Sequence, residues 1–233
     1  MIKFRVYFFY ITTLFFFQIC VASADVIEVN STKIVCIGDS ITQGGTLGRP
    51  EFSYRLPLQK LILKNGFKTD FVGVKKDGLN KKFIWPKYFD LNHEGFYGKN
   101  SAYIRDSLKT DLIKIESPDI AIVHIGTNDN DSLLWSPIIK PSVDIIRQLR
   151  AKNPNVKILI IQIPGKIKYV FTHLWVWWIK QTMSTKLSPI HTIDLYSYWK
   201  VKDHTFDGVH PNLEGQTLIA RLVYSKLKLL LIR

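Results

Sequence analysis

Cysteine is almost missing from this chain: two of 233 residues, Cys20 and Cys36. That excludes a fold held together by a disulfide framework. Cys36 lies in a β-rich apolar run and reads as a buried core residue rather than a reactive thiol. Acidic residues are also scarce, 19 against 32 Lys and Arg, for a formal charge of +13. Such a balance favours polyanionic surfaces: anionic glycans, membranes or nucleic acid. The lysines are scattered, however, and no nucleic-acid motif is found among them, so a solvated basic surface is expected. Beyond the first two dozen residues, no apolar run is long enough to span a bilayer. No segment has the composition of a disordered tail, and there is no internal repeat and no linker.

The apolar run that does exist is at the start. Lys3 and Arg5 precede Val6 to Val21, and Ala22-Ser23-Ala24 offers a small-x-small cleavage site. This is the layout of a secretory signal peptide over 1–24, cleaved after Ala24. The alternative is an uncleaved membrane anchor. Lipid attachment at Cys20 is disfavoured by the bulk of Ile19. Cleavage would remove Cys20, leaving Cys36 without a disulfide partner, and would take two positive charges, leaving +11 on 25–233. The expected location is secreted or extracytoplasmic.

Five short β-branched runs follow: Lys33–Ile37, Asp70–Val74, Asp119–Ile125, Val156–Ile163 and His191–Leu195. The third and fourth are apolar on both faces, as central parallel strands are. Helical stripes lie between them, over Leu56–Lys64, Ala102–Ile115 and Ser142–Lys152, with a last one over Leu213–Leu230 capped by Asn212. The alternation predicts an α/β domain: a doubly wound, flavodoxin-like, parallel five-stranded sheet with helices on both faces. Sites in such folds lie beyond the carboxyl ends of the strands.

Three loops at such places carry chemistry. Ser40 in Gly38-Asp39-Ser40 follows the first strand, where its hydroxyl can be exposed in a tight turn or simply cap a helix. Asn128 in Gly126-Thr127-Asn128-Asp129 follows the third, and its amide could face the same spot or serve an Asx turn. Asp207 stands three residues before His210, so it can accept from one imidazole nitrogen while the other acts as a base. His204, His124 and His93 compete for that role. A metal site from Asp203, His204, Asp207 and His210 is the weaker alternative, since cysteine or further acidic ligands are missing, and no metal or cofactor is expected.

Taken together, these blocks resemble the SGNH hydrolases, the GDSL esterase/lipase superfamily, from Lys33 to the last helix. His93-Glu94-Gly95-Phe96-Tyr97-Gly98 is similar to a stretch of the carbohydrate-directed members. The resemblance implies a serine esterase with Ser40, Asp207 and His210 as catalytic residues. It implies an oxyanion hole from Ser40, Gly98 (or Gly95) and Asn128. Asp39, His93, Tyr97 and Asp129 become candidates for substrate binding. The family usually has an aromatic or acidic residue where this chain has Lys99. The implied substrate is an acylated, most simply O-acetylated, carbohydrate. A lipid ester such as a lysophospholipid, or a non-catalytic glycan-binding role, is the alternative. Nucleic acid ranks last as a partner, and weak association with a membrane or polyanion surface is open. The aromatic-rich segment Lys168–Ile179, with Trp175, Trp177 and Trp178, packs the core or walls a substrate or membrane surface.

Overall fold

A computed structural model describes residues 31–45, 53–76, 78–80, 84–129, 135–163 and 170–231. The expected signal peptide and cleavage site lie outside the described residues, as does 164–169 of the link into the aromatic-rich helix.

Among the described residues six strands form the sheet: β1 (Thr32–Gly38), β2 (Thr69–Val72), β3 (Glu94–Gly95), β4 (Ile120–His124), β5 (Lys157–Ile161) and β6 (Ile190–Ile193). The order is β2-β1-β4-β5-β6, all neighbours parallel. The expectation of five strands therefore needs one addition. β3 is two residues long and extends the β2 side of β1: β2 pairs with Thr32–Val35, and β3 with Ile37 and Gly38.

Side-chain alternation divides the core into two layers, because successive residues of a strand face opposite ways. Val35, Ile37, Val123, Ile158 and Ile160 face α3 (Ser101–Lys114), α4 (Lys140–Lys152) and α5 (Val170–Met183). Ile34, Cys36, Ile122, Leu159 and Ile161 face α2 (Arg55–Lys64) and α7 (Leu213–Leu231). Two short helices, α1 (Ser40–Gln43) and α6 (Val201–His204), sit in the loops at the site.

The helix ends follow local chemistry. Asn100 caps α3 by accepting from Tyr103 N–H, and Asn212 accepts from Gly215 N–H at the start of α7. α4 starts two residues earlier than the periodicity suggests, because a π-helical turn over Trp135–Ile139 feeds into it and Pro141 is tolerated in its first turn. On α5, Trp175, Val176 and Ile179 are buried, whereas Trp177 is 60% and Trp178 37% exposed. One stripe of the aromatic-rich segment thus packs on the sheet, as core packing requires, and the other meets solvent. No described helix is long and apolar enough to cross a membrane.

Candidate active site

The chain leaves the sheet towards β2 on one side of β1 and towards β4 on the other, so the topological switch point lies between β1 and β4. Ser40 lies two residues beyond β1, and Asn128 four residues beyond β4. Asp39 caps α1, its Oδ1 accepting from Ile41 N–H at 2.9 Å, which leaves Ser40 as the first helical residue rather than the cap. The Ser40 hydroxyl lies 3.0 Å from His210 Nε2. His210 Nδ1 lies 2.6 Å from Asp207 Oδ2. The other oxygen of Asp207 accepts from the backbone N–H groups of Val209 and His210, at 2.9 and 2.7 Å.

These bonds fix the charge state of Asp207. Partial burial alone would raise its pKa. The ring and the two backbone donors outweigh that and hold it below the ordinary carboxylate value. A carboxylate at this place can orient an imidazole and would stabilise an imidazolium.

The turn over Phe96–Lys99 lies against the same pair. Phe96 N–H bonds Gly38 O at the end of β1, and Lys99 N–H closes the turn on Phe96 O. Gly98 has φ +67, a left-handed conformation that glycine adopts without penalty. Its N–H has no hydrogen-bond partner among the described residues. The Tyr97 ring is nearly parallel to the His210 ring, 6° apart in plane and 5.7 Å between centroids. Phe206 is stacked on the same imidazole at 5.8 Å. Asn128 gives one amide N–H to Lys99 O at 3.1 Å, and a primary amide has a second to give.

Three expected substrate contacts need correction. Asp39, His93 and Asp129 are buried, not lining an open cleft. Asp39 serves the α1 cap and faces His124, which burial keeps neutral. His93 Nδ1 accepts Gly95 N–H at 2.8 Å. Asp129 Oδ2 accepts from both the N–H and the hydroxyl of Ser101 and so secures the start of α3. Asp39 Oδ1, His93 Nδ1 and Asp129 Oδ2 thus satisfy donors that would otherwise be costly to bury, whereas Asp39 Oδ2 has no hydrogen-bond partner among the described residues. Tyr97 alone of the four is partly exposed. His204 turns elsewhere: its Nδ1 accepts Lys200 N–H, and its ring lies against Trp199.

A model of the GDSL-like lipase/acylhydrolase family matches residues 36–218. The chain belongs to that family. Its members are carboxylic ester hydrolases, and this GDSL-type esterase shares their α/β sheet. Among solved structures, a carbohydrate esterase family 3 protein from Talaromyces cellulolyticus is 26% identical with TM-score 0.72, over 86% of this chain and 98% of that one. An acetyl esterase mutant with an acetate ion matches with the same identity, score and coverage. A family 3 carbohydrate esterase from Clostridium thermocellum, 24% identical, has TM-score 0.69 over 87% of this chain and all of that one, and shares the fold. A search of curated proteins found no match.

Sequence reasoning missed Gln43 and Arg55, both bonded to the loops around the site. Arg55 is fully buried, and nothing in its position at a helix start signals that.

Proposed function

We propose that this GDSL-type esterase removes O-acetyl groups from a carbohydrate through an acyl-enzyme on Ser40. The observation that carries the reading is the continuous line from Ser40 Oγ through His210 to Asp207, at 3.0 and 2.6 Å. His210 Nε2 takes the Ser40 proton as the oxygen attacks the ester carbonyl. Asp207 stabilises the imidazolium that results. The oxyanion is received by the N–H groups of Ser40 and Gly98 and the free amide N–H of Asn128. His210 then gives that proton to the departing sugar oxygen, which leaves as a hydroxyl. A water activated by the same imidazole releases acetate and restores Ser40.

A short acyl group is favoured by space. The cleft beside the pair, lined by Ser40, Ile41, Gly44, Ser53, His210, Pro211 and Gln216, encloses only about 10 Å³. That is below the usual range for a small-molecule pocket, roughly 300 Å³ and up. The acetyl esterase and carbohydrate esterase neighbours support the same reading. The basic surface suits an acidic glycan. The segment over 1–24 supports an exported enzyme, checked by N-terminal sequencing of the secreted protein.

The lipid reading has one specific support, the exposed Leu174, Trp177 and Trp178 on α5. Acetylated xylan, an aryl acetate and a lysophospholipid, compared at equal enzyme concentration, separate the readings. Release of acetate from xylan at rates near that of the aryl ester is expected. Turnover of the lysophospholipid alone would overturn the carbohydrate reading. No turnover of any of the three would favour a glycan-binding protein.

A further inference from the structure

Among the described residues Arg55 is one of the largest fully buried side chains, and its guanidinium gives hydrogen bonds to backbone carbonyls of two separate segments. Nε donates to Thr42 O at 2.9 Å and Nη2 to Gln43 O at 3.3 Å. Nη1 donates to Leu91 O at 3.0 Å and Asn92 O at 3.4 Å. The first pair of acceptors ends α1, the helix that Ser40 begins. The second pair leads into β3 and the turn that bears Gly98. Burial lowers the Arg55 pKa to about 10, so it is still charged at neutral pH. A buried charge is costly unless it is fully hydrogen-bonded, and here those bonds join the two segments.

Gln43 completes the connection. Its Oε1 accepts Tyr97 N–H at 2.7 Å. Its backbone packs so closely on Gly95 that a Cβ there would stand 2.5 Å from Gln43 N. Tyr97 is the residue whose ring stacks on His210, and Gly98 is the next one along. One side-chain carbonyl thus sets the place of a ring against the base and of the following N–H.

We propose that Gln43, seated by Arg55, is a positioning residue that holds the Tyr97–Gly98 turn in register with Ser40 and His210. The inference rests on the reading of Ser40, His210 and Gly98 given above. It adds a residue that touches neither substrate nor the reacting atoms. Gln43→Leu removes the acceptor at similar size, whereas Gln43→Glu retains an oxygen able to accept from Tyr97 N–H. Gln43 is only partly buried, so a carboxylate there keeps some hydration.

The test uses the full chain with an aryl acetate, alongside amide hydrogen exchange at Tyr97 and Gly98. In Gln43→Leu, kcat falls on the order of 10- to 100-fold, as small misplacements at a reacting centre do, while KM changes by less than about threefold. Gln43→Glu restores kcat to within about fivefold of the parent. Exchange at Tyr97 quickens in Gln43→Leu and returns towards the parent in Gln43→Glu. A Gln43→Leu enzyme with parental kcat overturns the proposal. So does a Gln43→Glu enzyme as slow as Gln43→Leu, because packing and not the acceptor would then be the cause. If Gln43→Leu does not fold, Gln43→Met takes its place with the same expectations. A parent that turns over no ester sinks the esterase reading. The Tyr97 exchange data then still decide whether Gln43 anchors the turn.

Discussion

Changing Asp207 to Asn replaces one carboxylate oxygen by an NH2 group and tests how His210 is held. In the parent, Asp207 Oδ1 accepts two backbone N–H groups, at 2.9 and 2.7 Å, and Oδ2 faces His210 Nδ1 at 2.6 Å. An asparagine keeps both backbone bonds only with its carbonyl oxygen in the Oδ1 place. Its NH2 group then donates to His210 Nδ1. The ring proton is forced onto Nε2, which lies 3.0 Å from Ser40 Oγ and can no longer accept from it. The opposite amide orientation restores the tautomer but gives up the two backbone bonds of this exposed turn to water, at about 0.5–1.5 kcal/mol each. The wrong tautomer therefore dominates. Loss of this kind costs about 10⁴-fold in kcat, or about 5 kcal/mol in the barrier. Because the turn keeps its backbone bonds, the melting temperature should move by only a few degrees. Stopped-flow acylation with an aryl acetate, with a thermal melt on the same sample, measures both. A variant that keeps a tenth or more of parental kcat would refute the orienting role of Asp207.

Three further outcomes are expected. Gly98→Ala places a Cβ in open space at φ +67, so stability falls by about 1–2 kcal/mol from backbone strain while kcat drops much further; circular dichroism melts and esterase assays compare the two. Glu94 is driven up to about 7 by burial, with Val74 N–H and Lys75 opposing the rise and Asp111 adding to it. Its native pKa lies above the ordinary 4.5, so its protonated form stabilises the fold below about pH 4.5. That contribution, about 3 kcal/mol, is lost as pH rises through about 7. Urea unfolding of the parent between pH 4.5 and 8 should show this slope, and Glu94→Gln should lack it. Burial pushes the Cys36 thiol up to about 12, so in a Cys20→Ser chain a thiol reagent should label Cys36 only after unfolding.

The sheet was legible because its strands are dense in β-branched apolar residues and the helices between them carry clear stripes. β3 was not: a two-residue pairing has no periodicity, and it exists because the chain before Gly98 is laid along the end of β1. Ser40, Asp207 and His210 were legible because each stands in a loop of definite spacing. Asp39, His93 and Asp129 misled for a physical reason. A polar residue beside a reactive one faces the cleft or turns inward to satisfy backbone donors, and its identity is the same in both cases. Gln43 and Arg55 were invisible because their bonds run to backbone atoms of segments distant in sequence, which no side-chain pattern records.

Covalent capture at the nucleophile tests the central claim most directly. The native protein is treated with a serine-directed phosphonate, and the modified peptide is mapped by mass spectrometry. A single adduct on Ser40 is expected, formed in step with loss of ester hydrolysis, absent from Ser40→Ala and much slowed in Asp207→Asn. An adduct on another residue, or continued hydrolysis by Ser40→Ala at the parental rate, would contradict it.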